Sequence, residues 1–190
     1  MWKQGILIAA LAAGLYADEA CTYRMKSGVT VDWTAFKTPL KKGVKGTFRS
    51  VVYRGKTSAE NLSKLLVGSQ VSIEANNVDS GNPGRDAKLA KFFFGKMADR
   101  ALEAKITAID ETRQIVSVEI SMNGKDLVVP MRYTYENGMF NAAGVLDLAD
   151  FGALDALKSI NKACYALHQG KTWQDVEVGF GVRIAEHCTK

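Results

Sequence analysis

Step-by-step alternation of apolar and polar residues constrains the fold of this chain more than any other feature. It covers Val29 to Val52, Leu102 to Leu148 and Val176 to Ile184. A period of two places successive side chains on opposite faces of a strand. Every such strand then has an apolar face to bury. One strong helix stripe is present, through Phe151, Leu154, Leu157, Ile160, Cys164 and Leu167. Asp150 is expected to cap its start and Gly170 to end it. A single helix cannot cover so much sheet, so the sheet is expected to curl on itself.

The alternating runs predict eight strands, over 29–37, 44–53, 69–78, 102–108, 116–122, 127–133, 140–148 and 176–184. Asn123-Gly124 and Asn137-Gly138 mark tight hairpins, because a type I′ turn needs positive φ at both central residues. The expected fold is mainly β: an eight-stranded antiparallel barrel with one helix in the C-terminal half. A second, short helix near Arg85 to Phe94 falls in the long loop 79–99. Charges stand mid-strand in the polar rows, among them Asp32, Glu103, Lys105, Glu119 and Glu177. They belong in water, which argues against a lipid-facing outer-membrane barrel. The apolar rows therefore point inward.

Ahead of the strands, Lys3 and the apolar run Gly5 to Leu15 read as a signal peptide over 1–17, with Ala17 at the cleavage site. Residues 18–190 are the right size for a single domain, and no linker or repeat divides them. Export puts Cys21, Cys164 and Cys188 in an oxidising space, periplasmic or secreted, where one disulfide is expected. In a closed antiparallel barrel the first and last strands pair, which brings Val29 near Ile184. Cys21 and Cys188 lie just beyond that end, so they are the expected pair. Cys164 is left as a buried thiol on the helix stripe.

The inward rows define the candidate site. Trp33, Phe48, Ile73, Leu102, Ile106, Val118, Ile120, Met131, Tyr133 and Phe180 line a slot suited to a long acyl or prenyl tail. Small inward residues, such as Ala35, Gly46, Ala75, Ala104, Ala108, Ala142 and Gly144, leave space in it. Burial contributes about 0.8 kcal/mol per CH₂, so a long tail binds without specific polar contacts. No nucleophile elbow, dinucleotide fingerprint or metal-ligand spacing occurs, and no cofactor is implied. Asp147, Tyr133 and Tyr135 are the nearest titratable groups, so no enzyme is expected. His168 falls at the helix end, where the dipole favours a cation.

Of 190 residues 25 are Lys or Arg and 20 Asp or Glu, a formal net charge of +5. Lys37, Lys41, Lys42, Lys45 and Arg49 gather near one hairpin tip. They read either as a solvated turn or as a membrane-surface contact. Nucleic acid is not expected, since no exposed aromatic platform accompanies them. A homodimer stays open. The rival to a lipid carrier is a secreted stress-response or interaction module with a filled core, acting through its surface.

Three segments also carry a family likeness. Val31-Asp-Trp-Thr-Ala-Phe-Lys37 with Val44-Lys-Gly-Thr-Phe48, then Ser72 to Gly81 followed by Arg85-Asp86-Ala-Lys-Leu89, and last Phe151 with Lys171 to Val176, stand in order. Together they resemble the YceI-like family over nearly all of the mature chain. The resemblance implies a lipocalin-like extended barrel in the periplasm that carries polyisoprenoid or fatty-amide-type lipids. It marks Arg85 and Asp86 as either an ion pair pinning the long loop or contacts to a ligand headgroup. Lys88 stands where that family usually has a histidine before the Leu.

Overall fold

The computed structural model describes residues 20–189, so the expected signal peptide lies outside the described residues. The strands are β1 Ala20–Met25, β2 Thr30–Lys37, β3 Lys42–Phe48, β4 Val51–Arg54, β5 Ser58–Ala59 and β6 Gln70–Glu74. They continue with β7 Val78–Asp79, β8 Ala101–Asp110, β9 Ile115–Met122, β10 Lys125–Glu136, β11 Met139–Asp147 and β12 Thr172–Thr189. Four helices are α1 Leu62–Leu66, α2 Pro83–Phe92, α3 Leu154–Ala163 and α4 Tyr165–His168. The fold is thus mainly β, antiparallel, with a few helices.

Ten strands follow one hydrogen-bonded path, β4-β6-β8-β9-β10-β11-β12-β2-β3-β7, instead of the expected eight. Two expected strands are each broken in two, and the breaks face one another. Phe48 pairs with Val78, whereas Val51 pairs with Ile73. Arg49 and Ser50 therefore stand against a longer stretch that includes the 3₁₀ turn Ala75–Asn77. Extra residues on one side of a ladder bend it, and Asn76-Asn77 disfavours regular strand. The Arg49 amide still donates to the Asn77 carbonyl at 2.9 Å across the break. The curled sheet brings β4 and β7, its two ends, to this one place.

The hairpin turns follow the sequence signals. Asn123, Gly124, Asn137 and Gly138 all have positive φ, between 51° and 72°. Inward rows alternate with exposed Asp32, Glu103, Lys105 and Glu177 and half-buried Glu119. A register shift between Ile106 and Ala108 turns Ala108 outward and Ile109 inward.

The long β12 serves two partners along one edge. Its first part pairs with β2, Gly181 opposite Thr30, and its last part pairs with β1, Ile184 opposite Met25. Cys21 and Cys188 are opposite each other in that second ladder and are joined by a disulfide; Cys164 is free and buried. The expected single helix is divided at Cys164, whose φ of −120° and ψ of 20° interrupt it. Asp150 does not cap it: Ala153 occupies the cap with no side-chain bond. Gly170, at φ 76°, does follow its end.

Candidate functional site: an apolar cavity with a cationic mouth

Inside the curled sheet lies a cavity of about 590 Å³. Trp33, Phe48, Ile73, Leu102, Ile106, Val118, Ile120, Met131 and Phe180 all border it, as the inward rows require. Tyr133 does not. Its ring stacks on Phe140 with centroids 4.9 Å apart, and Phe140 stacks on Phe180 at 5.8 Å. This aromatic pile fills its share of the interior, so Tyr133 is core.

The small residues divide between two roles. Ala35 and Ala104 border the cavity, whereas Ala75 and Ala142 are buried in the packing. A Cβ on Gly46 would meet the Trp33 ring at 2.3 Å, and one on Gly144 would meet Met131 at 2.9 Å. Both glycines thus make room for a neighbouring side chain. Helices supply lining that strand alternation could not show: Leu89 on α2, and Leu157, Ile160, Cys164 and Leu167 on the α3–α4 stripe. The stripe was visible as helix; that its target is a cavity wall depends on the long-range approach of α2 and α3.

One end of this space is cationic. The inward row of β2 runs Trp33, Ala35, Lys37, and each residue faces its β3 partner Gly46, Val44, Lys42. The apolar row therefore ends in two lysines directly opposite each other, a destabilising arrangement without an anion. Arg85 and Lys88 on α2 border the same cavity with Lys37 and His168. Among the described ion pairs, none involves Lys37, Lys42, Arg85 or Lys88.

His168 is held in one tautomer. The Thr172 hydroxyl donates to Asn161 Oδ1 at 2.9 Å, and the Asn161 amide is fixed by its Nδ2 donating to the Gly170 carbonyl at 3.1 Å. Thr172 Oγ1 then accepts from His168 Nδ1 at 2.7 Å, leaving Nε2 unprotonated in the neutral ring. Burial first, then Lys37 and Lys88, push the His168 pKa below its ordinary 6.5. The expected dipole-favoured cation is opposed here, since α4 is four residues long and burial disfavours the charged ring. As pH falls through 6.5, the unfolded chain takes up a proton before the folded one does. Stability is expected to drop from there and level off below the folded value. Denaturant melts at several pH values should lose this component of the slope in His168→Gln.

Arg85 and Asp86 do not pair with each other. Arg85 Nε donates to Ser80 Oγ at 2.7 Å and its Nη2 to the Ser80 carbonyl at 2.8 Å. Asp86 is buried and accepts from both the Ser80 amide, at 2.9 Å, and the Ser80 hydroxyl. Its other oxygen meets Arg49 Nη2 at 3.3 Å, and Arg49 Nε meets Asp79 at 3.1 Å. Ser80 is thus the hub that pins the loop, and Arg49 is the cation that the sequence did not reveal. Arg49 leaves the lysine-rich tip for this task, and Lys41 is paired with Asp175 at 2.6 Å. Asp86→Ala is expected to lower the unfolding free energy by about 2–3 kcal/mol, measured by denaturant titration. Arg85→Ala should cost less, because that guanidinium is only half-buried. Asp147, Tyr133 and Tyr135 do not border the cavity.

The family model described as YceI-like domain matches residues 24–184. No match was found among curated proteins. Among solved structures, a polyisoprenoid-binding domain from Saccharophagus degradans has a TM-score of 0.58 at 11% identity, over 88% of this chain and 98% of that one. BcnA of Burkholderia cenocepacia has a TM-score of 0.56 at 14% identity, over 83% and 96%. The YCEI protein of Campylobacter jejuni has a TM-score of 0.50 at 16% identity, over 78% and 86%. At these identities the likeness is one of fold.

Proposed function

Since the chain belongs to the YceI-like family, we propose that it is a periplasmic binding protein or carrier for one long-tailed amphiphile of polyisoprenoid or fatty-amide type. The observation that carries this reading is the cavity of about 590 Å³, apolar along its walls and cationic at one end. Tail burial supplies affinity in proportion to apolar area removed from water. Arg85, Lys88 and Lys37 give a polar head its partners, and His168 Nε2 accepts a hydrogen bond when neutral. The name of the Saccharophagus degradans domain supports the same ligand class. The export component rests on the apolar run of residues 5–15.

A filled-core module acting through its surface is the second reading, and the size of the cavity weighs against it. Mass spectrometry of an organic extract from freshly purified native protein decides between them. A stoichiometric single-tailed lipid is the expected result. An empty extract, together with failure of long-chain probes to bind, would sink the carrier reading.

A further inference from the structure

Around the cationic end, the surface carries a second pattern, of which the cavity uses only part. The tip of the β2–β3 turn exposes Leu40 at 90%. This turn is locked to the start of β12: the Thr38 amide donates to the Lys171 carbonyl at 2.9 Å, and Trp173 Nε1 donates to the Thr38 carbonyl at 2.8 Å. The Trp173 ring lies under two cations, Lys171 at 4.6 Å and Lys41 at 5.3 Å from its centroid. Leu167, a cavity-lining residue on α4, is nonetheless 62% exposed. Among the described ion pairs, Lys41–Asp175 is the one neutralised contact here, and Lys42 and Lys171 are exposed without a carboxylate.

We propose that this rim docks the protein, mouth first, onto an anionic lipid bilayer. A protruding leucine beside a tryptophan and a ring of lysines matches an interface of apolar depth beneath anionic headgroups. Trp173 and Leu167 belong to both the rim and the cavity wall, so a tail leaving the bilayer meets apolar surface before it meets water. A second copy of this chain fits poorly, because a two-fold contact would set each unpaired lysine cluster against its own image. That docking serves tail transfer rests on the carrier reading; docking itself does not.

The test is flotation of the full mature protein with phosphatidylcholine vesicles and with phosphatidylcholine–phosphatidylglycerol vesicles, at low and raised salt. Binding is expected to the anionic vesicles and to weaken with salt. Lys171→Gln should weaken it about fivefold, and Leu40→Ser about tenfold. Neither Lys171 nor Leu40 lines the cavity, so uptake of a long-chain fluorescent probe should be unchanged in both variants. Equal binding to both vesicle types, or variants that bind like the parent chain, would overturn docking. Dimers abolished by the same substitutions, without vesicle binding, would overturn it in favour of self-association. Charge-dependent vesicle binding by a protein that takes up no probe would uphold docking and remove only the carrier reading.

Discussion

Each methylene added to the tail of a bound amphiphile is expected to tighten binding about fourfold, until the tail outgrows the cavity. The gain follows from roughly 0.8 kcal/mol per CH₂ moved out of water, with no polar contact needed to produce it. A displacement series with one headgroup and increasing tail length should therefore give a steep limb and then a plateau. The break reports the usable length of the 590 Å³ space. Ala104→Trp should move that break to shorter tails, since Ala104 sits on the cavity wall between Val71 and Ile120. An affinity that does not change with tail length would mean that the ligand is held at the mouth and not inside.

Replacing Cys21 and Cys188 together by serine is expected to lower the unfolding free energy by about 3–5 kcal/mol. The bridge closes a loop spanning 167 residues, and long loops lose the most unfolded-state entropy when cross-linked. For a domain of this size the loss corresponds to a fall in melting temperature on the order of 10 °C. Calorimetry with and without reductant on the parent chain should reproduce the change. Local effects should concentrate where the bridge lies. Amide exchange is expected to rise in β1, β5 and the last part of β12 before it rises in the β8–β11 meander. A melting point indifferent to both treatments would show that the β1–β12 ladder holds this end alone.

The meander was the most legible part of the chain, for a physical reason. Val116, Val118, Ile120 and Met122 are followed by Asn-Gly, so pattern and turn chemistry fix the same register independently. The inward rows could then be read residue by residue, and the cavity wall with them. Tyr133 shows the limit: its row was right, but whether an inward ring lines a space or fills it depends on Phe140, which pairs from the next strand. Ala108 departs from its row because a bulge carries no period. The facing breaks at Arg49–Ser50 and Ala75–Asn77 are each marked by only two adjacent polar residues, too short an interruption to stand out from the alternation on either side. The helical wall and the Arg49–Asp86 contact arise from residues far apart in sequence, whereas the Ser80 hub and the half-buried His168 rest on side-chain geometry that neither period nor turn chemistry encodes. β1 left a trace in the alternation of Cys21, Tyr23 and Met25, which is too short to decide alone.

The last strand has a consequence for how the chain is made. β12 supplies the hydrogen-bonding partner of β11 on one side, and of β2 and then β1 on the other. Until residues 172–189 have been synthesised, β11 and β2 both present bare edges, and bare edges recruit other strands. Strand β2 must wait for a partner made some 140 residues later. A growing chain of this topology can form the β8–β11 meander but cannot enclose its interior. Any apolar tail that enters early meets an unfinished wall, so loading must follow the synthesis of β12.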